Sequence, residues 1–190
     1  MVCCPSPWAA GLFLLAYFDK PCVCFLTFSF AVRNGKIEDN NKESREPTVR
    51  PNLGFYVQTI NDLVKETEAI GEKMNPNYEE IRKAIDEKKE AEVTPERLAE
   101  ITRIFKEGTD KYRLMLEKIS KLRPPANVMG IHKKFERAYM KYVAGCDEMI
   151  LSLDNKIDQE AFDAAEAKQD EATAEISFAI QRMTALLLKK

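Results

Sequence analysis

Residues 94–125, TPERLAEITRIFKEGTDKYRLMLEKISKLRPP, decide how this chain is read. Leu98, Ile101, Phe105, Gly108, Tyr112, Met115, Ile119 and Leu122 fall alternately three and four residues apart. That spacing puts one apolar stripe along a helix and leaves the charged residues between them on the other face. Thr94-Pro95 is a start signal, a hydroxyl cap followed by the residue that needs no N–H in the first turn. Arg123-Pro124-Pro125 is a stop, because the residue before a proline is pushed out of the helical region. Gly108 on the stripe predicts a close backbone approach by a neighbour.

The same spacing recurs on both sides. Upstream, Tyr56, Ile60, Leu63, Thr67, Ile70 and Met74 form a stripe, and Asn75-Pro76 predicts a cap and restart through Tyr78, Ile81 and Ile85. A kink or short break is expected there. Downstream, Val128, Ile131, Phe135, Ala138, Tyr142, Gly145, Cys146, Met149 and Leu153 lead to the polar turn Asp154-Asn155-Lys156. The last stripe is Phe162, Ala165, Gln169, Ala172, Ile176, Ala179, Met183 and Leu186, with acids early and Lys189-Lys190 at its end, as the helix dipole favours. The expected helices are 54–74, 76–91, 95–122, 126–153 and 158–188. Short connections between long helices predict antiparallel neighbours. The fold expected over 54–190 is therefore all-α, an up-down four-helix bundle with a kinked, coiled-coil-like first helix. A three-helix core with the first helix docked outside is the structural alternative.

Residues 1–32 are different in kind. They hold only two charges, Asp19 and Lys20, together with four of the chain's five cysteines. Met1–Phe18 is barely long enough to span hydrocarbon, while Pro21–Val32 suits the apolar core of a signal peptide, with Ser29-Phe30-Ala31 as a small-x-small cleavage pattern. Three readings stand side by side: an export or anchoring segment, a hairpin in the membrane turning at Asp19-Lys20-Pro21, and a non-native or cytosolic leader. Lipidation of Cys3, Cys4, Cys22 or Cys24 would strengthen the membrane readings. Residues 33–53, RNGKIEDNNKESREPTVRPNL, have the composition of a polar, disordered linker. Val143-Ala144-Gly145-Cys146 spells a lipoprotein cleavage box but lies on a helical stripe, where it is read as close packing.

Chemistry is constrained by the single histidine, His132. It excludes His-based triads read from this chain and metal sites built on two histidines. The residue three before it is Met129, so the Glu-x-x-His signature of di-iron bundles is absent. Met129, His132 and Glu136 present a face that copper(I) would accept, but too few soft ligands gather there. Asp154–Asp158 departs from a calcium loop at Lys156 and Gln159. No catalytic motif, metal or cofactor is expected.

Net charge is −2, which carries no basic footprint for nucleic acid, and none is expected as partner. The charge is unevenly placed. Residues 101–142 hold eleven basic and four acidic groups, whereas 33–100 and 147–190 are acidic. Lys118, Lys121, Arg123, Lys133, Lys134 and Arg137 surround the Pro124-Pro125 corner. One reading pairs this basic block with its acidic neighbours and sets their register. The other makes it a binding corner for lipid headgroups, cell-wall polymer or an acidic protein. Between the helices, His132, Tyr112, Tyr139 and Tyr142 are the polar candidates for a ligand site.

Leu122-Arg123-Pro124-Pro125, then His132 and Phe135 in a long amphipathic helix, then Phe162-Asp163-Ala164-Ala165 resemble a pattern in small secreted or lipid-anchored helical-bundle proteins of Gram-positive bacteria. The resemblance covers residues 33–190 and implies an extracytoplasmic bundle without catalytic residues. The chain departs from the lipoprotein pattern in having no lipobox cysteine at the end of its apolar leader. The reading that emerges is a non-enzymatic bundle, secreted or membrane-anchored, acting through protein or polyanion contacts. Its alternatives are a ligand-binding bundle with a site near His132, and a cytoplasmic helical adaptor if residues 1–32 are not a native leader.

Overall fold

The computed structural model describes residues 53–188, so the apolar segment 1–32 and nearly all of the linker lie outside the described residues. The described chain is all-helical and contains four α-helices: α1 (Leu53–Asp86), α2 (Pro95–Lys121), α3 (Met129–Leu151) and α4 (Gln159–Leu188).

Pro76 does not interrupt α1, contrary to the expected break between 74 and 76. An interior proline costs roughly 3 kcal/mol through its missing N–H and its clash with the carbonyl four residues back. Ile70, Met74, Tyr78 and Ile81 flank it on one stripe and are all buried. At about 1.5–3 kcal/mol for each large apolar side chain removed from water, keeping both halves of the stripe on the core outweighs the proline.

The helix ends at Asp86, short of the expected 91, and its termination is a hydrogen-bonded lock. Lys89 N–H donates to the Ala84 carbonyl at 2.8 Å and Lys88 N–H to Ile85 at 3.0 Å, with Lys88 at φ 56°. This is the Schellman pattern with lysine where glycine usually sits, and a side chain in the left-handed region costs about 1 kcal/mol. Lys88→Gly is expected to raise stability by roughly 0.5–1 kcal/mol, read as a higher denaturant midpoint with an unchanged slope. An unchanged or lower midpoint would contradict this account.

Thr94 caps α2 by accepting from Arg97 N–H at 3.3 Å, and Pro95 is the first helical residue. After Lys121 the Pro124-Pro125 corner leads through a 3-10 turn, Ala126–Val128, into α3. The α3–α4 turn uses Asn155 at φ 62°, a residue tolerant of that conformation. Asp158 then holds the start of α4, accepting from Ala161 N–H at 3.1 Å.

The core joins all four helices in one cluster. Tyr56 of α1 meets His132 of α3 and Met183 of α4, while Tyr78 near the far end of α1 stacks on Phe162. Arg97 of α2 binds Glu80 of α1, and Lys168 of α4 binds Glu148 of α3. Two glycines make this closeness possible. A Cβ at Gly108 would stand 2.0 Å from Met74 Sδ, and one at Gly145 would stand 2.7 Å from Gln169 Cγ. The Val143–Cys146 box accordingly sits inside α3, with Val143, Gly145 and Cys146 buried.

Candidate functional site

The corner between α2 and α3 lies at the end of the molecule where α1 begins and α4 finishes. Tyr56 bonds His132 there, and the Asn127 amide donates to the Leu186 carbonyl at 3.4 Å. Residues 53–66, 114–137 and 177–188, which form this end, carry eight basic and four acidic side chains, a net of +4. Residues 79–100 and 150–166, at the opposite end, carry six basic and thirteen acidic, a net of −7. The described chain is electrically polar along its length.

All six corner cations are exposed, but they are not equivalent. Lys118 reaches across to Glu66 on α1 at 3.2 Å. Lys121 pairs with Glu117 at 3.2 Å and Lys133 with Glu136 at 2.6 Å, each within its own helix. Arg137 donates through Nε to the Lys133 carbonyl at 3.3 Å and meets no carboxylate among the described residues. Among the described residues, Arg123 and Lys134 have no acidic partner either. Leu53 is 47% exposed and Met129 52% exposed at the same end.

The four interhelical candidates come together as parts of one buried row of rings. Ring centroids lie 5.7 Å apart for Tyr56–His132, 6.4 Å for His132–Phe135, 6.1 Å for Phe135–Tyr139, 6.2 Å for Tyr139–Tyr142 and 5.3 Å for Tyr142–Tyr112. The row runs from the start of α1 along α3 to the middle of α2. Tyr139 shares a 2.8 Å hydrogen bond with Thr67 Oγ1. Burial pushes the hydroxyls of Tyr112, Tyr139 and Tyr142 up and that of Tyr56 to about 12, so all four stay protonated. They serve as packing groups and hydrogen-bond donors.

His132 Nδ1 lies 3.1 Å from the Tyr56 hydroxyl, which donates to Met183 Sδ at 3.1 Å. The tautomer sets which of the two groups donates, and Nε2 is buried without a hydrogen-bond partner of good geometry among the described residues. Burial lowers the imidazole's pKa, opposed by the Ile119 carbonyl and Glu136 and assisted by Lys133. A base depressed in the folded state contributes stability that is fully present above its unfolded value of 6.5 and is lost as pH falls below it. Acidification from pH 7 to 5 is therefore expected to speed amide exchange, corrected for its intrinsic rate, in the first turns of α1 and α3. His132→Gln should flatten that dependence, and an equal acid response in the variant would rule out the imidazole as its source.

A second polar group, at the acidic end, escaped the sequence reading. Tyr78 donates to Glu166, and Arg82 binds Asp163 at 2.6 Å, Asp86 at 2.7 Å and Glu166 at 3.2 Å. Burial raises the Glu166 carboxyl, offset in part by Tyr78 and Arg82. The signal available was a charged residue directly beside a stripe position, Arg82 next to Ile81 and Glu166 next to Ala165. Between the two ends, Met74, Phe105, Thr109, Cys146, Met149 and Gln169 line a cavity of about 10 Å³, room for a single water. Among the described residues, no three of His, Cys, Asp and Glu gather to hold a metal ion. No known family model, characterised protein or solved structure matches this chain.

Proposed function

We propose that this chain is a non-enzymatic helical bundle, held at or beyond a membrane by residues 1–32, that works through contacts with protein or polyanion at its basic end. The observation that carries the proposal is the set of exposed cations Arg123, Lys134 and Arg137, which have no carboxylate partner among the described residues. They stand at the end where the chain arrives from the apolar segment and linker. Twenty residues, 33–52, separate that segment from Leu53. The likeness to secreted or lipid-anchored bundles of Gram-positive bacteria points the same way.

The finer architecture proposed is the antiparallel up-down arrangement. It is supported by the order of the cross-helix pairs: Glu80 with Arg97 and Glu66 with Lys118, then Tyr56 with Met183 and Arg82 with Asp163. In each case a later residue on one helix meets an earlier residue on the other. The alternative of a ligand among His132, Tyr112, Tyr139 and Tyr142 has against it that those rings fill the space between one another.

Intact mass and membrane fractionation in the native host test the reading. A secreted species beginning near Val32, or a full-length species in the membrane fraction with or without added mass on the N-terminal cysteines, is the expected result. A species confined to the cytosol would overturn it and leave a helical adaptor. Among the described residues no helix is long and apolar enough to cross a membrane, so in this reading attachment falls to residues 1–32.

A further inference from the structure

We infer that the basic end of the bundle is a docking surface for an anionic phospholipid bilayer, an inference that rests on membrane attachment through residues 1–32. Three features of the same end select this occupant. Arg123, Lys134 and Arg137 are exposed and meet no carboxylate among the described residues, so they are available to headgroup phosphates, each worth about a five-fold gain in partitioning. Leu53 and Met129 project half-exposed among them. A soluble polyanion would satisfy the cations and leave these apolar side chains in water, whereas a bilayer interface accepts both.

Covalent geometry supplies the third feature. The described chain enters α1 at this end, and a 20-residue connection from Val32 can reach at most about 70 Å. α1 alone is 34 residues, about 50 Å long, so an attached bundle presents either end within the linker's reach. Charge decides between them. The far end, rich in Asp and Glu from Asp86 to Glu100 and Asp154 to Asp163, is repelled by an anionic surface, while the entry end is drawn within the roughly 8 Å over which such fields act at physiological salt. The bundle then stands on its Pro124-Pro125 corner with its acidic end outward.

The test is amide exchange of the full chain on vesicles of phosphatidylcholine alone and of phosphatidylcholine mixed with an equal amount of phosphatidylglycerol. The expected result is exchange over residues 122–137 slowed about five-fold or more on the anionic vesicles only, weakened by high salt. The triple variant Arg123→Glu, Lys134→Glu, Arg137→Glu should lose that slowing. Its exchange over α1 in the absence of vesicles should match the parent, which shows that the variant folds. Equal exchange on both vesicle types with the chain bound overturns the docking surface while membrane attachment stands. Binding to neither vesicle overturns both. Slowing confined to residues 86–100 and 152–163 reverses the orientation and also overturns the inference. So does the same slowing produced by soluble polyphosphate without vesicles, which would make a free polyanion the occupant.

Discussion

Replacing Arg82 with leucine is expected to cost about 2–3 kcal/mol at pH 8 and much less at pH 5. The side chains of Arg82 and Glu166 are 16% and 9% exposed, so removing the guanidinium leaves a carboxylate largely out of water, with the Tyr78 hydroxyl as its remaining hydrogen-bond donor among the described residues and the Asp163 and Asp170 carboxylates near enough to disfavour its charge. Asp163 and Asp86 lose the same partner but are 45% and 61% exposed, and water replaces what they lose at little cost. The pH dependence follows from Glu166. Burial already holds its carboxyl above the ordinary value of 4.5, and losing Arg82 raises it further. A carboxyl raised in the folded state carries no penalty below its unfolded value, and its penalty grows as pH rises through the folded value. Urea titrations of parent and variant at pH 5 and pH 8 measure the difference directly. Adding Glu166→Gln should recover much of the loss at pH 8, since the amide still accepts from Tyr78 and carries no charge. A loss that is equal at the two pH values would mean that Arg82 acts through its packing rather than its charge.

Phe162→Ala is expected to lower stability by about 3–5 kcal/mol, with a fall in melting temperature of roughly 10 °C or more. The ring is fully buried and stacks on Tyr78, with centroids 5.8 Å apart. The hole left would adjoin the Glu166 carboxylate, which tolerates neither a void nor a displaced hydrogen bond. Phe178, on the same helix sixteen residues later, points about 160° away and is 60% exposed. Phe178→Ala should change stability by no more than about 0.5 kcal/mol. Comparable losses for the two substitutions would contradict the placement of α4 against the core.

These two sites mark where the sequence could and could not be read. The stripes were legible because one-sided burial imposes its period on any amphipathic helix. Tyr56, Leu63, Ile101, Tyr112, Phe135, Met149 and Phe162 are all buried, and Gly108 and Gly145 stand where neighbours press closest. Thr94-Pro95 was legible because a cap is a local hydrogen bond. Pro76 misled because a local cost of one lost bond competes with the burial of a whole stripe, and only the packed structure shows which prevails. Arg82 and Glu166 lie at the edge of their stripes, where a rotation of a few tens of degrees moves a side chain between water and core. The basic corner divides in the same way. Lys121–Glu117 and Lys133–Glu136 follow from spacing within one helix, but Lys118–Glu66 joins residues 52 apart and depends on which helices are neighbours.

The contact of Tyr56 with Met183 bears on a question of chain connectivity. The first turn of α1 and the last turns of α4 are side by side, so the gap between them is one that a short peptide can bridge at small loop-closure cost. A cut made in the exposed turn around Lys88–Glu92, with the old ends joined, leaves every core residue in place. Circular permutation there would move the entry into the described helices to the acidic end, separating the place where the chain enters from the packing that makes the fold.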